Sequence, residues 1–270
     1  LADLTGSMGN NTFKSFGTAA DFDIGVASGQ VQIRKVAGKI TEGTAVGGAF
    51  NVTGTYGLTN NAAQITASVT DLNQNALHTF LEPMLGNKKV ASVAINASAN
   101  AQYDPAGATA LKASLQMTNL VVNDPTGQIP ATPLGFACQM DAGLDKKVVE
   151  VKQFQLSLTP TARGTNQLQL TAHIDMAQTN AWQGNVKLQA DSIDLTTYYD
   201  LFVGNKSAAN PTQTATATAK PAATGTSATA SSADKEPDAV QLPLRNFTAD
   251  VSVRRFYLKE IEIADFQWTT

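Results

Sequence analysis

The sequence predicts a mainly β protein, a meander of sequential antiparallel strands interrupted by two short amphipathic helices. Three observations predict it. Apolar and polar residues alternate with period two along most of the chain, in runs rich in Thr, Val, Ile and Gln. Gly, Asn and Asp followed by Pro break these runs at short intervals, as tight turns require. Only two stretches change to the spacing of a helix.

Taken in order, residues 22–26, 31–36, 49–56, 63–69, 90–103 and 110–122 read as strands, separated by turn residues at 27–29, 57–61, 104–107 and 124–127. Between the fourth and fifth of these lies the first helix, 73–85, with Leu77, Phe80, Leu81 and Met84 on one face. Asn73 is placed to cap it, because a short side-chain oxygen can accept from the free amides of a first turn. The clearest alternation follows: Phe154, Leu156, Leu158, then Leu168, Leu170, Ala172, Ile174, Met176, then Val186, Leu188, Ala190. These are three consecutive half-buried strands, with turns at 160–166 and 178–184. The second helix, 194–202, carries Leu195, Tyr198, Tyr199 and Phe202, with Asp194 as its cap. The two helical units align without gaps, Leu72, Asn73, Leu77, Phe80 and Leu81 falling opposite Ile193, Asp194, Tyr198, Leu201 and Phe202, a degenerate repeat about 120 residues apart.

Residues 207–239 contain no Leu, Ile, Val, Met or aromatic residue and cannot bury enough to offset their ordering entropy. They read as a disordered Ala/Thr/Ser/Pro linker between a module at 1–206 and a C-terminal segment at 240–270. Strand patterning resumes there at 247–253 and 257–268, with a phase slip at Arg254 and Arg255 that predicts a bulge. About 30 residues cannot hold a core of their own. The simplest account is that these strands rejoin the same sheet across the linker, a separate C-terminal domain being the other reading.

Composition narrows the function. Charged residues make up 15% of the 270 residues, against about 25% in an average protein, and the net charge is −3 with Lys and Arg scattered. Such a surface offers no footprint for nucleic acid. A single cysteine, Cys138, permits neither an internal disulfide nor a cysteine-rich zinc site, and its strand context predicts a small buried hydrophobe. The chain opens at Leu1 with no signal-peptide pattern, and nowhere do ~18 apolar residues run together, so an anchor would lie outside it.

Catalytic chemistry is sparsely provided. The two histidines are His78 on the first helix and His173 on a strand, and His173 with Asp175 is the one pair on a shared polar face. Asp141, Asp145 and Glu150 could converge as an acid pair, and Tyr198, Tyr199 and Trp182 could form a sugar platform, although aromatics on a short helix more often plug the end of a sheet. The glycines 38, 43, 47 and 48 lack the strand-to-long-helix setting of a phosphate loop and read as turns and strand kinks. No catalytic residue, metal ligand or cofactor is expected, and no enzyme.

The stretch from Phe154 to Phe202 closes with Ala-Asp-Ser-Ile-Asp-Leu-Thr-Thr-Tyr-Tyr-Asp-Leu-Phe. After the low-complexity insert comes Leu-Pro-Leu-Arg-Asn-Phe-Thr-Ala-Asp-Val-Ser-Val-Arg-Arg-Phe-Tyr-Leu-Lys-Glu-Ile-Glu-Ile-Ala-Asp-Phe-Gln. This order of three strands, an Ile-Asp-Leu helix start, an insert and a strand pair resembles the AsmA family of Gram-negative envelope proteins over 148–268, and 13–120 shares its texture. The resemblance implies a long curved antiparallel sheet folded into a groove, related to the repeating β-groove proteins of bridge-like lipid transport. It implies a periplasmic module, tethered to the inner membrane by a helix outside this chain, that holds phospholipid acyl chains. Expected to line the groove are Phe154, Leu156, Leu158, Leu168, Leu170, Ile174, Val186, Leu188, Val251 and Val253, with Tyr198 and Phe202 at the closing helix. Two other readings stand beside it: a scaffold offering an edge or apolar surface to outer-membrane protein clients or other envelope proteins, and a carbohydrate-active β-sandwich.

Overall fold

The computed structural model describes residues 4–8, 11–127, 132–202 and 244–270. They form one open, curved sheet of 13 strands in strict chain order. The strands are β1 (Leu4–Met8), β2 (Asn11–Ala27), β3 (Gln30–Glu42), β4 (Ala45–Gly57), β5 (Ala63–Asn73), β6 (Lys89–Tyr103), β7 (Ala108–Asn123), β8 (Leu134–Asp145), β9 (Val148–Leu158), β10 (Gln167–Asp175), β11 (Trp182–Asp194), β12 (Leu244–Leu258) and β13 (Ile261–Thr269). Helix α1 (Gln74–Leu85) follows β5 and helix α2 (Thr196–Phe202) follows β11.

Every neighbouring pair is antiparallel except β11 and β12, which run parallel from Trp182↔Leu244 to Asp194↔Tyr257. The expected meander is corrected at that one point. A parallel pair needs a connection that carries the chain back to the start of the strand. Here the connection is long, α2 occupies its beginning, and the 207–239 stretch expected as a linker lies outside the described residues. β12 and β13 continue the same sheet.

Three local expectations change. No bulge forms at Arg254 and Arg255: β12 holds one register against β11 and β13 through this stretch, and the turn comes later, where Lys259 takes φ 54°. What reads as one strand over 257–268 is therefore the end of β12 and all of β13. Strand β8 is an addition, its alternation of Phe136, Cys138, Met140 and Ala142 being blurred by Gly135, Ala137 and Gly143 in between. α2 starts at Thr196, two residues after Asp194, which ends β11 and accepts from the Thr196 amide at 3.1 Å. Asn73 caps α1 as expected, accepting from the Asn75 amide at 3.0 Å.

The core sits at one end of the strands. Leu85 of α1 and Leu201 of α2 join Val90, Val93, Met117, Leu120, Val122 and Leu134, with Leu77, Leu81, Ile95, Phe136 and Tyr198 packed against them. Burying such side chains contributes roughly 1.5–3 kcal/mol each, so most of the hydrophobic stabilisation concentrates under the helices. Glycine lets α1 lie this close: a Cβ on Gly47 of β4 would stand 2.6 Å from the Ala76 Cβ, and Gly48 takes φ 149° beside Leu72. That close approach accounts for the pair at 47 and 48, while Gly43 sits in the β3–β4 turn and Gly38 inside β3.

A polar junction fixes α2 to the strands around it. Arg163 donates to both carboxylate oxygens of Asp194 at 3.1 Å, to the Thr196 hydroxyl at 2.9 Å and to the Lys259 carbonyl at 3.0 Å, with its guanidinium over the Tyr257 ring. Fully buried Asn166 donates to the Thr159 carbonyl at 2.7 Å and accepts from the Asp194 amide at 2.6 Å. The β9–β10 loop, the end of β11 and the β12–β13 turn thus meet at one carboxylate. Burial raises the Asp194 carboxyl pKa, but hydrogen bonds from Thr196, Arg163 and Thr161 outweigh it and hold the group below the usual carboxylate range.

Candidate apolar binding face

Residues directly opposite one another in a ladder project to the same side of a sheet, so the registers convert the alternation into faces. One row can be followed strand by strand. Phe22 faces Val36, Val36 faces Val52, Val52 faces Ala67, Ala67 faces Ala99, and Ala99 faces Ala113. The row continues through Met140, Phe154, Leu170, Leu188 and Val251 to Trp268. It crosses 12 of the strands, β2 to β13, without one polar residue, a width of about 50 Å at ~4.8 Å per strand.

A parallel row two residues nearer the helices runs from Phe50 and Val69 through Ala97, Leu115, Cys138, Leu156, Leu168, Ala190 and Val253 to Phe266. On the other side a third joins Ile24 and Ile33 through Ile65 and Leu111 to Val151, Ala172, Val186 and Ala249. Among the described residues a single sheet is present, and no second sheet faces these rows. The sandwich that a carbohydrate-active reading presupposes is not the architecture found. Side chains on the face stay partly in water: Phe22 is 71% exposed, Leu115 37% and Trp268 51%. Transferring such area out of water is worth about 25 cal/mol per Å², so this face stores a large unused driving force for an apolar layer.

The opposite face is polar. Gln139, Gln155, Gln169, Gln189, Ser252 and Gln267 face one another on six successive strands, and ion pairs sit among them, Lys112 with Asp141 at 3.1 Å and Arg254 with Asp191 at 2.9 Å. Amides and hydroxyls keep this side solvated.

The ten strand residues expected to line a groove lie on the apolar face. Phe154, Leu170, Leu188 and Val251 share the first row, Leu156, Leu168 and Val253 the second, and Val186 the third. Ile174 pairs with Val149 one row further out, and Leu158 faces Phe136 beside the core. The Tyr198 hydroxyl donates to the Gly135 carbonyl at 2.6 Å and accepts from the Thr159 amide at 3.1 Å, which makes it an anchor for α2, while Phe202 is 42% exposed. The residues that sequence reasoning left out, among them Phe22, Val36, Val52, Leu115, Met140 and Trp268, carry the same alternation. Only the register reveals that they extend the same rows.

Among the candidate chemical groups, His173 and Glu150 are ladder neighbours on the polar face, with Asp141 two residues along β8 from Gly143, the partner of Glu150. His173 is exposed, opposite Glu150 and Asn185, and the Asp175 carboxylate accepts from the Ala177 amide in its own turn at 2.8 Å. Asp141 is engaged by Lys112. Trp182 begins β11 and Tyr198 follows its end, about 40 Å of strand away, so no aromatic platform forms. Among the described residues no three His, Cys, Asp or Glu side chains are grouped to hold a metal ion, and no helix is long and apolar enough to cross a membrane. Comparison with protein-family models, with curated proteins and with solved structures returned no match.

Proposed function

We propose that this chain is a lipid-binding envelope module of AsmA type, whose apolar face holds the acyl chains of phospholipids in the space between inner and outer membranes. The observation that carries the reading is the unbroken, half-exposed apolar row from Phe22 to Trp268 with no second sheet over it among the described residues. A closed core would bury such a row, whereas a lipid carrier has to leave it open to an apolar guest. Binding of this kind asks for area and needs neither charge nor a nucleophile, which agrees with the low charge content. The resemblance of residues 148–268 to the AsmA family supplies the envelope setting.

Native mass spectrometry of the chain purified from a diderm host, followed by solvent extraction, tests this directly. Phospholipid is expected on the wild type and on Gln169→Asp, which alters the polar face, and is expected to be lost from Leu170→Asp, in which the sheet stays folded. Equal lipid on both variants, or a lipid-free wild type, sinks the proposal. In the second case a scaffold offering this face to client strands becomes the reading to test, with competition by client peptides as its signature.

A further inference from the structure

The apolar face is closed at one end and open at the other. At the helix end Met117 is 8% exposed and Leu120 4%, covered by α1 and α2 through Leu85 and Leu201. Toward the other end the same face opens: Leu144 is 37% exposed, Ile65 41% and Tyr103 49%. Beyond lie turns that carry polar residues, among them Asn60, Asp104, Lys146 and Lys147, and a polar hollow of about 410 Å³ borders this rim. From Cys138, in the row next to the helices, to Leu144 at the rim is six residues of β8, or about 20 Å. That depth is comparable with one leaflet of a bilayer, whose hydrocarbon core of about 30 Å is shared by two.

Resting on the acyl-binding reading, we propose that the lipid tails lie along the strands, methyl ends against the α1–α2 plug and headgroups at the turn-lined rim, so that the plug limits tail length. A tail laid across the strands would hold its headgroup over apolar rows, which offer it no hydrogen-bond partner, everywhere except at the two edges of the sheet. Tails laid along the strands put every headgroup beside the polar groups of the turns. The width of the face then accommodates several lipids side by side.

The test loads delipidated protein with an equimolar mixture of short-, medium- and long-chain diacyl phosphatidylcholines and reads the bound masses by native mass spectrometry. Leu115→Trp raises the floor beside the plug, and Leu144→Trp places the same bulk at the rim of the same face. The expected result is a bound profile shifted to shorter tails in Leu115→Trp with total occupancy retained, and an unshifted profile in Leu144→Trp. Should Leu115→Trp fail to fold, alkylation of Cys138, its direct neighbour across the ladder, blocks the same spot on the folded protein. Identical shifts at both positions, or none at either in a lipid-loaded protein, overturn the orientation alone. A wild type that takes up no phosphatidylcholine overturns the acyl-binding reading and the orientation with it.

Discussion

Lys88 Nζ donates to the carbonyl of Leu201 at 2.7 Å, joining the α1–β6 connection to the last turn of α2 across 113 residues of chain. The lysine is buried at 3% exposure, and a second, longer bond reaches the Asp200 carbonyl at 3.4 Å. The end of a helix leaves carbonyls without partners and carries partial negative charge, so a cation there satisfies both. Lys88→Met keeps the packing volume and removes the donor. A loss of about 2 kcal/mol is expected, as for a hydrogen bond to a charged group, read as a lowered urea midpoint at unchanged slope. An unaltered midpoint would show that water replaces the bond at no cost.

Asp194 makes stability depend on acid. Its folded-state pKa lies below the unfolded value of about 3.9, so its bonds to Arg163, Thr161 and Thr196 stabilise the protein fully above that value. The contribution disappears as pH falls from about 4 through the lower folded-state pKa. Asp194→Ala removes a buried carboxylate from a pair whose Arg163 side chain is partly exposed, and it is expected to cost about 2 kcal/mol near neutral pH, as for hydrogen bonds to a charged group. Asp194→Asn is expected to flatten the acid limb of a plot of urea midpoint against pH. An acid limb as steep as that of the wild type would assign the sensitivity to other carboxylates.

These two ties were not legible in the sequence, because they connect positions 113 and 31 residues apart through a backbone carbonyl and a loop. Alternation showed which residues of a strand share a face, and turn chemistry showed where strands end, so most of β2 to β11 was readable at its centre. The side of each strand relative to the next was not, since that depends on register, and register depends on bulges such as the one between Val69 and Leu72. Leu168, Leu170 and Ile174 stood out because Gln and Thr separate them. Ala97, Ala99 and Ala101 on β6 lie between Asn, Ser and Gln yet give weak contrast, and β8 was hidden for the same reason by its small residues. The parallel pairing of β12 had no local signal at all, as it is decided by where a long connection returns.

Cys138 offers an independent reading of what covers the apolar face. It lies between Leu115 and Leu156 in the row next to the helices, half-buried, and it is the chain's one cysteine. A thiol reacts as its thiolate and only where a reagent can reach it, so its rate reports coverage of the face beside the helices. In delipidated protein, modification by an uncharged maleimide is expected to run to completion. After loading with phospholipid the same rate is expected to fall about tenfold or more, in proportion to the occupied fraction, because the reagent must then wait for the guest to leave. Leu170→Asp, with its weakened hold on acyl chains, is expected to keep the fast rate in the presence of lipid. A rate equally slow with and without lipid would mean that protein, and not a guest, covers this part of the sheet, and the open-face interpretation would fall with it.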